Sequence, residues 1–176
     1  MTATADESGF TLVELLIAVA VMGLIMVALG AGFSVGLRTM NDTSSRLAGS
    51  NDAQLVGVHL PPDIESATEA VGYPGNGTCF GADPVLRLTD GATFDVVYGV
   101  KADGATFRLD RYDCSGTTVL STRIVARNLA SATAVAPTRY PTSGTLTGAA
   151  LTITEKATGT DATPYVFTVR GNRRSS

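Results

Sequence analysis

Few side chains in this sequence are of a type and spacing that could do chemistry, and Glu14 is the first of them. It is the one ionisable residue between Leu12 and Leu37. That run is about 26 residues, or roughly 39 Å as a helix. Such a length crosses a bilayer core of about 30 Å with some tilt. A carboxylate inside a membrane span is expensive to leave unpaired, so it is usually functional and a partner is to be sought.

The other candidates are weaker. Gly32-Phe33-Ser34-Val35-Gly36 matches the nucleophile-elbow pattern of serine hydrolases. That chemistry needs a sharp strand-to-helix turn and a nearby histidine base. Here the pattern lies inside the apolar run, and the sole histidine, His59, reads as a polar residue near a helix end. Two cysteines, Cys79 and Cys114, and one distant histidine do not make a zinc site. No carboxylate pair has a motif around it. The expectation is therefore a chain that is not an enzyme and carries no cofactor or metal. The net charge is −3 over 176 residues, which does not favour nucleic acid in bulk. Arg170, Arg173 and Arg174 near the C-terminus could meet DNA phosphate or simply form a solvated tail.

The residues around Glu14 carry a resemblance. Gly9-Phe10-Thr11-Leu12-Val13-Glu14-Leu15, followed by the apolar run, resembles the processing site of type IV pilins and pseudopilins. The resemblance implies cleavage by a prepilin peptidase between Gly9 and Phe10, and N-methylation of Phe10 by the same peptidase/methyltransferase. It implies that Glu14 neutralises the terminal amine of a neighbouring subunit during assembly. The implied partners are other pilin subunits, the inner-membrane assembly platform and, for a tip or DNA-uptake pilin, DNA or a surface ligand. The implied course is a single-pass membrane precursor with an extracytoplasmic domain, then a cell-surface pilus or periplasmic pseudopilus. The size of the polar domain favours a minor subunit.

The leader, residues 1–9, has no Lys or Arg and carries Asp6 and Glu7. This departs from the usual basic leader, and Arg38 and Arg46 sit beyond the span, against the positive-inside rule. The processing motif and the cysteines still favour the leader inside. A secretory signal peptide is disfavoured by the missing basic region and the overlong apolar run. An uncleaved signal anchor is the rival. Within the span, Ala28, Gly32 and Gly36 recur every fourth residue, an edge along which helices can approach closely. Gly30-Ala31-Gly32 lowers the cost of local unwinding, since each Gly weakens a helix by about 1 kcal/mol relative to Ala.

The elements that must carry these residues form an α+β chain of the pilin-like kind. A helix over 10–37 continues as an amphipathic helix over 38–60. Leu37, Met40, Leu47, Ala48, Leu55 and Val58 fall in one arc and are expected to lie on a sheet, opposite Arg38, Asp42, Ser45, Arg46, Ser50 and Asp52. Pro61-Pro62 is expected to stop the helix. Residues 61–84 read as a connector, and 85–176 as an antiparallel sheet. Strands are expected at 85–89, 93–101, 106–112, 117–128, 146–154 and 165–170, with 130–144 a long loop. Asp90-Gly91, Asp103-Gly104 and Ser115-Gly116 mark tight turns. In an exported domain, Cys79 and Cys114 suggest a disulfide worth roughly 3–4 kcal/mol.

Overall fold

The computed structural model describes residues 11–72, 79, 83–142, 145–157 and 163–173. The leader, Phe10, most of the connector around Tyr73-Pro74-Gly75, and Arg174 lie outside the described residues. The chain divides into two compact units, Met1–Asn41 and Asp42–Ser176. One helix, α1 (Leu12–Ser66), begins in the first and ends in the second.

The first unit is the apolar half of α1. Thr11 caps it: the Glu14 N–H donates to Thr11 Oγ1 at 3.3 Å and the Leu15 N–H to the Thr11 carbonyl at 3.2 Å. Thr11-x-x-Glu14 is thus a helix-start pattern, with an acidic residue in the first turn where the helix dipole favours it. From Leu12 to Leu37 every residue is exposed.

The second unit is α+β. It joins the rest of α1 to β1 (Glu69–Gly72), β2 (Asp83–Thr89), β3 (Asp95–Asp103), β4 (Thr106–Ser115), β5 (Thr118–Leu129), β6 (Val135–Tyr140), β7 (Gly148–Thr154) and β8 (Val166–Asn172). The strands pair antiparallel throughout and form two sheets, β1-β2-β3-β4-β5 and β6-β7-β8. Gly91, Gly104 and Gly116 all have positive φ at the turns joining β2 to β5, a conformation that costs glycine least.

Four expectations are corrected. The helix does not stop at Pro61-Pro62 but runs to Ser66. The two rings leave the Gly57 and Val58 carbonyls without donors, yet both residues are exposed, so water can satisfy them. Beyond the prolines, Ile64 and Ala67 are fully buried and hold the last turns in place.

The expected apolar stripe is not the buried face. Leu47 and Val58 are each 66% exposed, and Leu37, Met40 and Leu55 are exposed as well. The buried face is Gly49, Asp52, Val56, Leu60, Asp63 and Ala67, spaced three or four residues apart. Asp52, placed on the solvent side by its charge, is buried because its carboxylate accepts a backbone N–H from β5.

The segment 130–144 is not a loop throughout, since β6 lies in it. Pro137 is accommodated because β6 is an edge strand, where a missing N–H is tolerated. The connector likewise contains β1, too short to show a period, and β2 starts two residues early at Asp83.

The core is shared by helix and both sheets. Val56, Leu60 and Ile64 of α1 pack with Leu86, Leu88, Val96, Tyr98, Val100 and Leu109 of the larger sheet and with Ala149, Leu151 and Ile153 of β7. Fully burying such side chains contributes about 1.5–3 kcal/mol each. Alternation along β3 sends Val96, Tyr98 and Val100 to this core, while Val97 joins Cys79, Tyr112 and Cys114 in a second cluster.

Candidate functional site

The candidate site is the N-terminal span with Glu14 at its head. Glu14 is exposed one turn into α1, and its backbone, not its charge, is tied to Thr11. The apolar side chains that follow are exposed: Leu24 and Val27 are each 74% exposed. An apolar surface of this extent implies lipid or other apolar helices around it. A Cβ placed on Gly32 or Gly36 would meet nothing within 4 Å, so the edge they share with Ala28 is open to a partner. The helix is continuous through Gly30 and Gly32. Ser34 lies inside α1, so the hydrolase-like pattern has no strand-to-helix elbow.

In the second unit, Cys79 and Cys114 form a disulfide. Each is 3% exposed, and the bond ties residue 79 to the end of β4 beside Tyr112. On the same face Asp110 is fully buried, accepting from Arg108 Nε at 3.0 Å and from the Tyr112 hydroxyl at 3.1 Å. Burial, then Asp110, pushes the Tyr112 hydroxyl up to about 12.

Sequence reasoning missed a network between α1 and the larger sheet. Asp63 accepts from Arg111 Nε and Nη2, each at 2.7 Å, and from the Tyr98 hydroxyl at 2.6 Å. Arg111 Nη1 also donates to Asp113 Oδ1 at 2.6 Å, and Ser121 donates to the same carboxylate. His59 lies 3.4 Å from Arg123 Nη1. Burial first, then the positive charge of Arg111 and Arg123, holds the imidazole below its usual value. The burial of Asp52 and Glu155, 7% and 4% exposed, was also missed. The signal that could have found Asp52 and Asp63 is their place in the three-or-four spacing with Val56 and Leu60.

Arg170 belongs to β8 rather than to a tail, and its guanidinium lies 5.9 Å from the Tyr140 ring centre. The Arg173 N–H donates to the Thr147 carbonyl at 2.8 Å. Among the described residues no three His, Cys, Asp or Glu side chains gather as a metal site.

With this geometry on hand, comparison with known proteins adds one finding. A profile of the prokaryotic N-terminal methylation motif matches residues 4–30. No curated protein and no solved structure matches the chain significantly. The match supports a type IV pilin-like prepilin at the N-terminus, and the motif implies processing by a prepilin peptidase and assembly with other pilins. The apolar half of α1 fits a membrane-anchored precursor.

Proposed function

We propose that this chain is a minor subunit of a type IV pilus or of a secretion-type pseudopilus. Residues 1–9 are removed after Gly9, and Phe10 becomes the methylated N-terminus. The new amine lies four residues before Glu14 in sequence, just outside the Thr11 cap. In the bilayer Glu14 is a lone charge at the head of an apolar helix. In a filament a neighbour's terminal amine meets it. At about 4 Å and an effective dielectric near 20 the two attract by about 4 kcal/mol before desolvation is subtracted. Neither charge is well placed among apolar helices without the other. The span then exchanges lipid for the spans of other subunits, with Ala28, Gly32 and Gly36 on the close-approach edge. The larger unit lies outside the cytoplasmic membrane, a placement that its buried disulfide supports.

The observation that carries this reading is the apolar helix capped by Thr11, exposed at every residue from Leu12 to Leu37. Glu14→Gln tests it, because Gln keeps a capping-box side chain and removes the charge. The variant precursor is expected to be made, inserted and cleaved, yet to be depleted from sheared filament material. Incorporation at the wild-type level would overturn the role given to Glu14.

A further inference from the structure

Glu155 follows β7 and packs against α1 where the helix has no side chain. A Cβ on Gly49 would lie 2.7 Å from Glu155 Oε2 and 2.6 Å from Cδ1 of Tyr165. Only glycine lets the carboxyl and the ring come this close. Glu155 is 4% exposed, and its Oε1 is buried with no hydrogen-bond partner. Its backbone is fixed on both sides, by a bridge to Leu129 and by an N–H bond to the Tyr165 carbonyl at 2.9 Å.

Asp52 lies on the same face of α1, three residues on from Gly49, and is 7% exposed. Its Oδ2 accepts the Arg127 N–H at 2.6 Å. The groups that act on the two carboxyls come from every element around them. Asn51 of α1 hydrogen-bonds Asp52, and Arg127 of β5 draws it through both backbone N–H and charge. On Glu155, the charge that acts is that of Asp52 itself. The Tyr165 ring closes the side toward the last strand. A buried carboxyl with an empty acceptor, on which a second carboxylate's charge acts, is cheapest when one of the two holds a proton.

We propose that Asp52 and Glu155 form a proton-binding site that makes the seating of α1 on β5 and on the segments carrying Glu155 and Tyr165 depend on pH. This site works independently of how the span assembles. Burial first, then Asp52, pushes Glu155 up to about 7 from 4.5. Burial raises Asp52 as well, against the Arg127 N–H. The folded chain therefore keeps a proton that the unfolded chain has released. Stability is greatest on the acid side of this window, falls as pH rises from about 4.5 to about 7, and then levels. At higher pH both carboxyls are ionised, and their repulsion works against the contact at Gly49. His59 acts in the opposite sense, so the site is read from the difference between two proteins that both contain His59.

The test is denaturant unfolding of the full chain in detergent, disulfide intact and chelator present, from about pH 5 to about pH 8. The wild-type unfolding constant is expected to rise at least tenfold more across this range than that of Glu155→Gln, because a group raised from 4.5 to about 7 holds its proton well over ten times more tightly in the folded chain. Parallel profiles would overturn the proposal. If the variant does not fold, carbon-13 NMR of the wild-type Glu155 carboxyl decides. A titration midpoint close to 7 supports the site, and one near the ordinary glutamate value of 4.5 overturns it.

Discussion

Arg111 grips Asp63 with two parallel bonds, Nε to Oδ2 and Nη2 to Oδ1, each 2.7 Å long. This relationship joins β4 to α1 one residue beyond Pro61-Pro62, where the helix has just lost two backbone donors. The Tyr98 hydroxyl adds a third bond to the same carboxylate. Burial, then the negative charge of Asp63, drives the Tyr98 hydroxyl well above its ordinary value, and bonding to Asp63 raises Arg111. Each group is thus held in the form that the network needs.

Asp63→Ala would leave Arg111 as an uncompensated charge and Tyr98 as a buried donor without an acceptor. The expected loss is about 3 kcal/mol or more, measured by denaturant unfolding of the full chain in detergent. Asp63→Leu with Arg111→Met removes both charges and should cost clearly less. Equal losses would show that packing, not the ion pair, holds this turn.

The disulfide gives a second expectation. Cys79 and Cys114 are 35 residues apart, so breaking the bond frees a long loop in the unfolded chain. Replacing both by Ser should lower stability by roughly 3–4 kcal/mol. Reduction of the wild type should reproduce the change in the same unfolding assay.

Two glycines should respond oppositely to alanine. A Cβ on Gly171 would lie 2.9 Å from the Pro61 Cα and 2.7 Å from Ile64 Cδ1, and the first of these is backbone that cannot step aside. Gly171→Ala is expected to destabilise by about 1–3 kcal/mol. Gly57 lies inside α1 with nothing within 4 Å of its would-be Cβ. Gly57→Ala should stabilise the isolated subunit by up to about 1 kcal/mol through helix propensity. Thermal unfolding of the two variants checks both signs.

His59 predicts a pH dependence of its own. Its folded value lies below 6.5, so the folded chain binds its proton less readily than the unfolded chain. This contribution is complete above about 6.5 and is lost as pH falls through the folded value. His59→Gln should flatten that part of the stability profile. An unchanged profile would show that neither burial nor the charges of Arg111 and Arg123 act on the ring.

The sequence was most informative where composition alone decides structure. An apolar run with one charge reads as a helix long enough to cross a membrane, which α1 is, and a glycine after Asp or Ser between β-rich runs reads as a tight turn, which Gly91, Gly104 and Gly116 occupy. It was misleading where tertiary partners reverse a residue's ordinary preference. Asp52 and Asp63 are buried because Arg127 and Arg111 reach them from β5 and β4, and no local pattern announces those partners. The same reversal moved the buried face of α1 away from Leu47 and Val58. Pro61-Pro62 and Pro137 misled for a simpler reason. Proline breaks an element only where its missing N–H is needed, and at an exposed helix face or a sheet edge it is not.

The central claim is that residues 1–9 are a leader whose removal creates the assembling terminus. Mass analysis of the N-terminal peptide, on protein recovered from membranes and from sheared filaments, measures this directly. The account predicts a chain that begins at Phe10 and carries one N-terminal methyl group. A chain that still begins before Gly9 in both fractions would contradict it.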